Sequence, residues 1–92
     1  MTIRAVHTQF NTEIARLNAM IGGPADHARF LFDDLAAEAG FVSTRYRVPF
    51  CMALRSALTA FQIDYAQSAD TALAHTAACA RLEVIALLAG RS

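Results

Sequence analysis

The sequence predicts an all-α fold, and three observations carry that expectation. After Pro49 no glycine or proline interrupts the chain until Gly90. Apolar residues recur in steps of three and four, the helical period, from Ile3 onward. The composition is rich in alanine, the best helix former. We expect a single helical domain over residues 1–92. It is a small bundle of three to four helices, at about 3–21, 24–39, 49–67 and 70–89, the last two readable as one long helix.

Ile3, Val6, Phe10, Ile14, Leu17 and Ile21 form one stripe, with Thr2 as N-cap and Gly22 where a left-handed C-terminal residue belongs. That is the first helix. Pro24 suits the start of the second, because its missing N–H has no helical partner there. Asp26 favours the positive end of the helix dipole. Ala28, Leu31, Phe32, Leu35 and Ala39 make the inward stripe, and Gly40 is expected to end the helix. On this reading Asp33, Asp34 and Glu38 lie near the negative end of the dipole, where Arg45, Arg47 or Arg55 would compensate them.

Phe41 to Val48 is then a loop, and Pro49 opens the third helix. Beyond it a stripe runs through Phe50, Leu54, Leu58, Phe61, Tyr65, Ala69, Leu73, Ala77, Ala80, Val84 and Leu87. It fits one rod of about 60 Å. It equally fits two antiparallel helices turning near "AQSAD", with Ser68 or Asp70 as N-cap. Two helices are preferred, since helices far beyond about 25 residues are uncommon in small domains.

Hydrophobic residues make up 55% of the chain and charged residues 17%, more apolar surface than so small a monomer can cover. A subunit interface is the simplest place for the surplus, and a two-fold homodimer the commonest form. The expected interface is Phe61, Tyr65, Ala69, Leu73, Ala77, Ala80 and Val84, whose small central residues let helix axes approach closely.

Eight basic and eight acidic side chains give a net charge of zero, which disfavours nucleic-acid binding. No signal-peptide core is seen, and "VIALLA" at 84–89 is far shorter than the roughly 20 residues of a membrane span. A cytoplasmic protein without a membrane segment is expected. Cys51 and Cys79 suit a reducing compartment and read as buried thiols.

"GFVSTRYRVPF" at 40–50 concentrates aromatics and arginines, residue types enriched at interface hot spots. The expected partner-binding residues are Phe41, Arg45, Tyr46 and Arg47, together with Asp34 and Glu38. The longer stretch "AEAGFVSTRYRVPF" resembles the second helix-turn-helix motif of AraC-type activators, which carry Gly-Phe at the turn and a Tyr six residues after the Gly. The resemblance implies a DNA-reading helix capped by Ser43 or Thr44. Pro49 would fall inside that helix, at a cost of about 3 kcal/mol.

Other chemistry is thinly supported. His75 and Cys79 share a helix face at a spacing that supplies two metal ligands, but no CxxC or HExxH motif completes a site. Asp33 and Asp34 are adjacent and diverge by about 100° on a helix, so they cannot act as an acid–base pair. Cys51 near Arg55 has no evident base. "IGGP" lacks the spacing of a phosphate-cradling loop. No catalytic residue, metal or cofactor is expected. The function expected is non-catalytic protein–protein binding, as an adaptor, inhibitor or regulatory subunit that forms a homodimer. The alternative is a dimeric helix-turn-helix-like DNA-binding regulator.

Overall fold

The computed structural model describes residues 2–91, and they form five helices with no strand among them. The first is α1, Ile3–Gln9, capped by the Thr2 hydroxyl, which accepts from the Ala5 N–H at 3.2 Å. The single helix expected over 3–21 is in fact two. Phe10 departs from helical geometry (φ −107°, ψ 24°), and α2 follows as Asn11–Ile21. The hydrogen-bond ladder nevertheless crosses the kink, since Phe10 N–H donates to Val6 O and Phe10 O accepts from Ile14 N–H. The kink seats a fully buried Phe10 ring 5.8 Å from that of Phe32 and under the Arg55 guanidinium at 5.3 Å.

Gly22 and Gly23, both at positive φ, turn the chain as expected. Pro24 sits at the N-cap of α3, Ala25–Tyr46. This helix runs straight through Gly40, so the loop expected over 41–48 is mostly helical. The inward stripe explains why: it continues past Ala39 to buried Val42 and half-buried Tyr46. Burying those side chains is worth more than the roughly 1 kcal/mol that glycine costs inside a helix. Asp33, Asp34 and Glu38 therefore lie mid-helix rather than at a helix end. The true loop is Arg47–Pro49, with Arg47 left-handed at φ 57° and the Ser43 hydroxyl donating to Val48 O at 2.7 Å.

α4 spans Phe50–Ser68 with Pro49 at its N-cap, and α5 spans Thr71–Gly90. The long-rod alternative is thereby settled in favour of two helices. Ala69 adopts a left-handed conformation, and the Asp70 carboxylate caps α5 by accepting from Ala72 N–H at 2.9 Å and Leu73 N–H at 3.2 Å. Phe10, Leu17, Phe32, Leu35, Leu54, Leu58 and Phe61 fill the core. Among the described residues it contains no buried polar or charged side chain. α4 and α5 pack most extensively of the helix pairs; α4 buries Ala53, Leu54, Ala57, Leu58 and Phe61, and α5 buries Ala74, Ala78 and Leu82. The Cα atoms occupy a slab of 41 × 29 × 15 Å.

Candidate interaction surfaces

α5 is the helix that its own fold leaves unsatisfied. Its buried residues are Ala74, Ala78 and Leu82, so two of three are small. Leu73, Val84, Leu87 and Leu88 point outward at 55%, 46%, 65% and 61% exposure. Leu73, Ala77, Ala80, Val84 and Leu87 follow one another in steps of four, three, four and three, the spacing of a coiled-coil seam. Ala77 and Ala80 also line a shallow groove with Ala60, Ile63 and Asp64 of α4 and with Arg81 and Val84 of α5.

The interface expected from sequence is thus divided by the structure. Leu73, Ala77, Ala80 and Val84 lie on this outer face. Phe61 is fully buried in the monomer core and is removed from the set; the turn at 69–70 breaks the stripe that linked it to α5. Tyr65 is half-buried and stacks on Phe61 at 6.1 Å, and Ala69 is the turn residue. Sequence reasoning missed Ile63, 57% exposed, because it falls off the stripe followed through α4.

Thr71–Gly90 has the length and apolar composition of a membrane-crossing helix, a test that core helices of soluble proteins also pass. The apolar run at 84–89 is only the C-terminal part of this helix. Just 17% of its most apolar stretch is buried against the rest of the chain.

α3 carries a second exposed face. At about 100° per residue, Phe30, Asp34, Ala37, Glu38, Phe41 and Arg45 fall within an arc of about 100°, and all six are exposed. The continuity of the helix through Gly40 gathers four of the six expected partner-binding residues here. Of the other two, Tyr46 packs against the core and lies 3.7 Å from where a Cβ at Gly90 would sit, and Arg47 is the exposed left-handed cap. Phe30, 68% exposed, was not singled out from sequence, although it stands eleven residues before Phe41 on the same face.

The helix-turn-helix register over 37–50 is not formed, since Ser43 and Thr44 lie inside α3 and cap nothing.

Cys79 of α5 is half-buried and feels the charge of acidic side chains on α3. Burial pushes its thiol pKa up, and the charges of Glu38, Glu83 and Asp34 add to the shift. His75 Nδ1 lies 3.8 Å from the sulfur, while His75 Nε2 is buried with no hydrogen-bond partner among the described residues. Both cysteines are free, and among the described residues no group of three or more His, Cys, Asp or Glu side chains is placed to hold a metal ion. His7 Nε2 lies 2.6 Å from Asp33 Oδ1, and the Gln9 amide donates to Cys51 Sγ at 3.0 Å; these contacts tie α1 to α3 and α4.

No protein-family model matches the chain, and neither the curated proteins nor the solved structures contain a match.

Proposed function

We propose that this chain is a non-catalytic helical module that acts in the cytoplasm by binding protein. It pairs with a second copy of itself and engages a different protein as an adaptor, inhibitor or regulatory subunit. The observation that carries this reading is where the large exposed side chains lie. Among the described residues, six of the ten exposed large hydrophobics lie on the outer faces of α3 and α5 (Phe30, Phe41, Leu73, Val84, Leu87 and Leu88), with Ile63 of α4 beside the α5 groove, and clustered apolar exposure is the mark of an interaction surface. On α3, two phenylalanines flanked by Asp34, Glu38 and Arg45 combine aromatic anchors with a charged rim, the composition of a hot-spot patch.

The test compares the native chain with Phe30→Ala/Phe41→Ala and with Arg45→Ala, each tagged and used to capture proteins after cross-linking. A protein retained by the native chain should be lost from the double phenylalanine variant and weakened by Arg45→Ala. Circular dichroism should be unchanged, because all three side chains are exposed. Full retention by both variants sinks the α3 assignment. The homodimer is tested separately, through the solution mass of the native chain.

A further inference from the structure

The outer face of α5 supports a more specific conclusion, which rests on the homodimer reading above. We infer that two copies of this chain pack α5 against α5 about a two-fold axis, with Ala77 and Ala80 at the crossing and Arg81 of each copy facing Asp64 of the other.

Three features of the molecule lead there. The first is shape. Leu73, Ala77, Ala80, Val84 and Leu87 form a seam of two heptads, about 21 Å long at 1.5 Å per residue. Large residues sit at its ends and small ones in its middle. Two such seams running antiparallel about an axis between Ala77 and Ala80 place these alanines against each other, where the axes approach closely, and Leu73 against Val84 on either side, with Leu87 extending past the paired stretch. The pattern complements itself, as a two-fold interface requires.

The second is charge. Arg81 and Asp64 rim the same groove from its two walls, yet among the described residues neither forms an ion pair. Among the described residues, the Asp64 carboxylate accepts from the Ser68 hydroxyl at 3.1 Å. One cation and one anion on opposite walls of a groove whose other lining residues are apolar but for Gln67 are what a symmetric pairing uses, because the axis matches each with its opposite twice. A partner of single-signed charge would satisfy only one of them.

The third is area. The accessible surface of 5736 Å² is about a tenth above the roughly 5200 Å² expected of a compact monomer of 9.9 kDa. A standard interface removes about 800 Å² per partner, about a tenth of a small protein's surface. Two heptads alone are short for a stable coiled coil. Ile63 and Ala60 of α4 extend the seam sideways through the groove, so that α4 and α5 of both copies meet in one four-helix contact.

The experiment is sedimentation equilibrium on the full chain over a range of concentrations, with three sets of variants. The native chain should have twice the 9.9 kDa protomer mass. Ala80→Glu/Val84→Glu should weaken dimerisation at least about a hundredfold, by forcing carboxylates into a dry seam. Its helical circular dichroism should persist, because both positions are exposed in the protomer. Arg81→Asp should weaken the dimer by about tenfold, and Arg81→Asp/Asp64→Arg should restore it; this pair keeps the test decisive if the seam variant misfolds. Phe41→Glu, equally exposed on α3, should leave the dimer intact.

A dimer that survives the seam variant and dissociates with Phe41→Glu overturns the α5 surface and leaves the homodimer standing. A native monomer overturns both. A native monomer that floats with phosphatidylcholine vesicles assigns the face to a lipid surface instead and equally overturns the proposal.

Discussion

α4 and α5 are neighbours of nearly equal length, joined by a two-residue turn, and they distribute their bulk in opposite ways. α4 places Leu54, Leu58 and Phe61 inside. α5 places Ala74, Ala78 and a single leucine inside, and turns Leu73, Val84, Leu87 and Leu88 to the surface. The bulk of α4 is therefore buried by its own chain, with Met52 and Ile63 left exposed. α5 contributes close packing to the monomer but leaves Leu73, Val84, Leu87 and Leu88 exposed. A helix that is apolar all round is expected to be buried, and here only one side is.

The largest effect that probes this contrast comes from matched truncations. Phe61→Ala is expected to destabilise the protomer by about 3–5 kcal/mol, because it empties the core. Leu87→Ala should change protomer stability by no more than about 0.5 kcal/mol, as surface substitutions do. Urea unfolding at low concentration reads both, and equal losses would break the comparison. At high concentration Leu87→Ala should lose the concentration dependence of its midpoint, a signature Phe61→Ala would not share.

Next in size is the joint between the helices. Asp70→Ala removes two capping bonds and should cost about 1 kcal/mol. In the other direction, Ala69→Gly relieves a left-handed alanine at φ 53° and should add about 1 kcal/mol. If neither moves the denaturation midpoint, the turn is not what separates the two helices.

A similar gain of about 0.5–1 kcal/mol is expected for Gly40→Ala. Its new Cβ would stand 3.9 Å from the Phe50 ring, ordinary contact distance.

The smallest effect sharpens the inner side of α5. A thiol whose pKa is raised on folding holds its proton more tightly in the folded state. Its contribution to stability is complete below the ordinary thiol range and is lost as pH rises through the folded value. Alkaline pH should thus lower the stability of the native chain slightly more than that of Cys79→Ala. Iodoacetamide should modify Cys79 more slowly than a thiol in the unfolded chain. Glu38→Gln/Glu83→Gln should quicken that reaction, and an unchanged rate would remove the acidic neighbours as a cause.

Much of this architecture was legible in the residues. Gly22, Pro24, Pro49 and Asp70 each punctuate the chain for a local reason, and each does so here. The kink at Phe10 was not legible. It contains no glycine or proline, and the three-and-four spacing survives because the hydrogen-bond ladder crosses it. Gly40 misled for the opposite reason: a local stop signal was overridden by the burial of Val42 and Tyr46. The phase of α5 could not be read at all, since Ala74, Ala78 and Leu82 are no more apolar than Leu73, Ala77, Ala80 and Val84. Only packing against α3 and α4 decides which set faces inward. For the same reason the residues expected at an interface divide, Leu73, Ala77, Ala80 and Val84 falling on the outer face of α5 while Phe61 falls in the core.

The short turn at 69–70 also bears on the order in which the chain folds. Contacts between α4 and α5 close a loop of two residues, so they form at little cost in chain entropy. Phe10 and its neighbours reach partners as remote as Asp33 and Cys51, and they become fixed later. Substitutions in the α4–α5 hairpin are then expected to slow folding, and those around Phe10 chiefly to speed unfolding, a division that φ-value measurement reads directly. The outer face of α5 would accordingly be presented before the rest of the fold is complete.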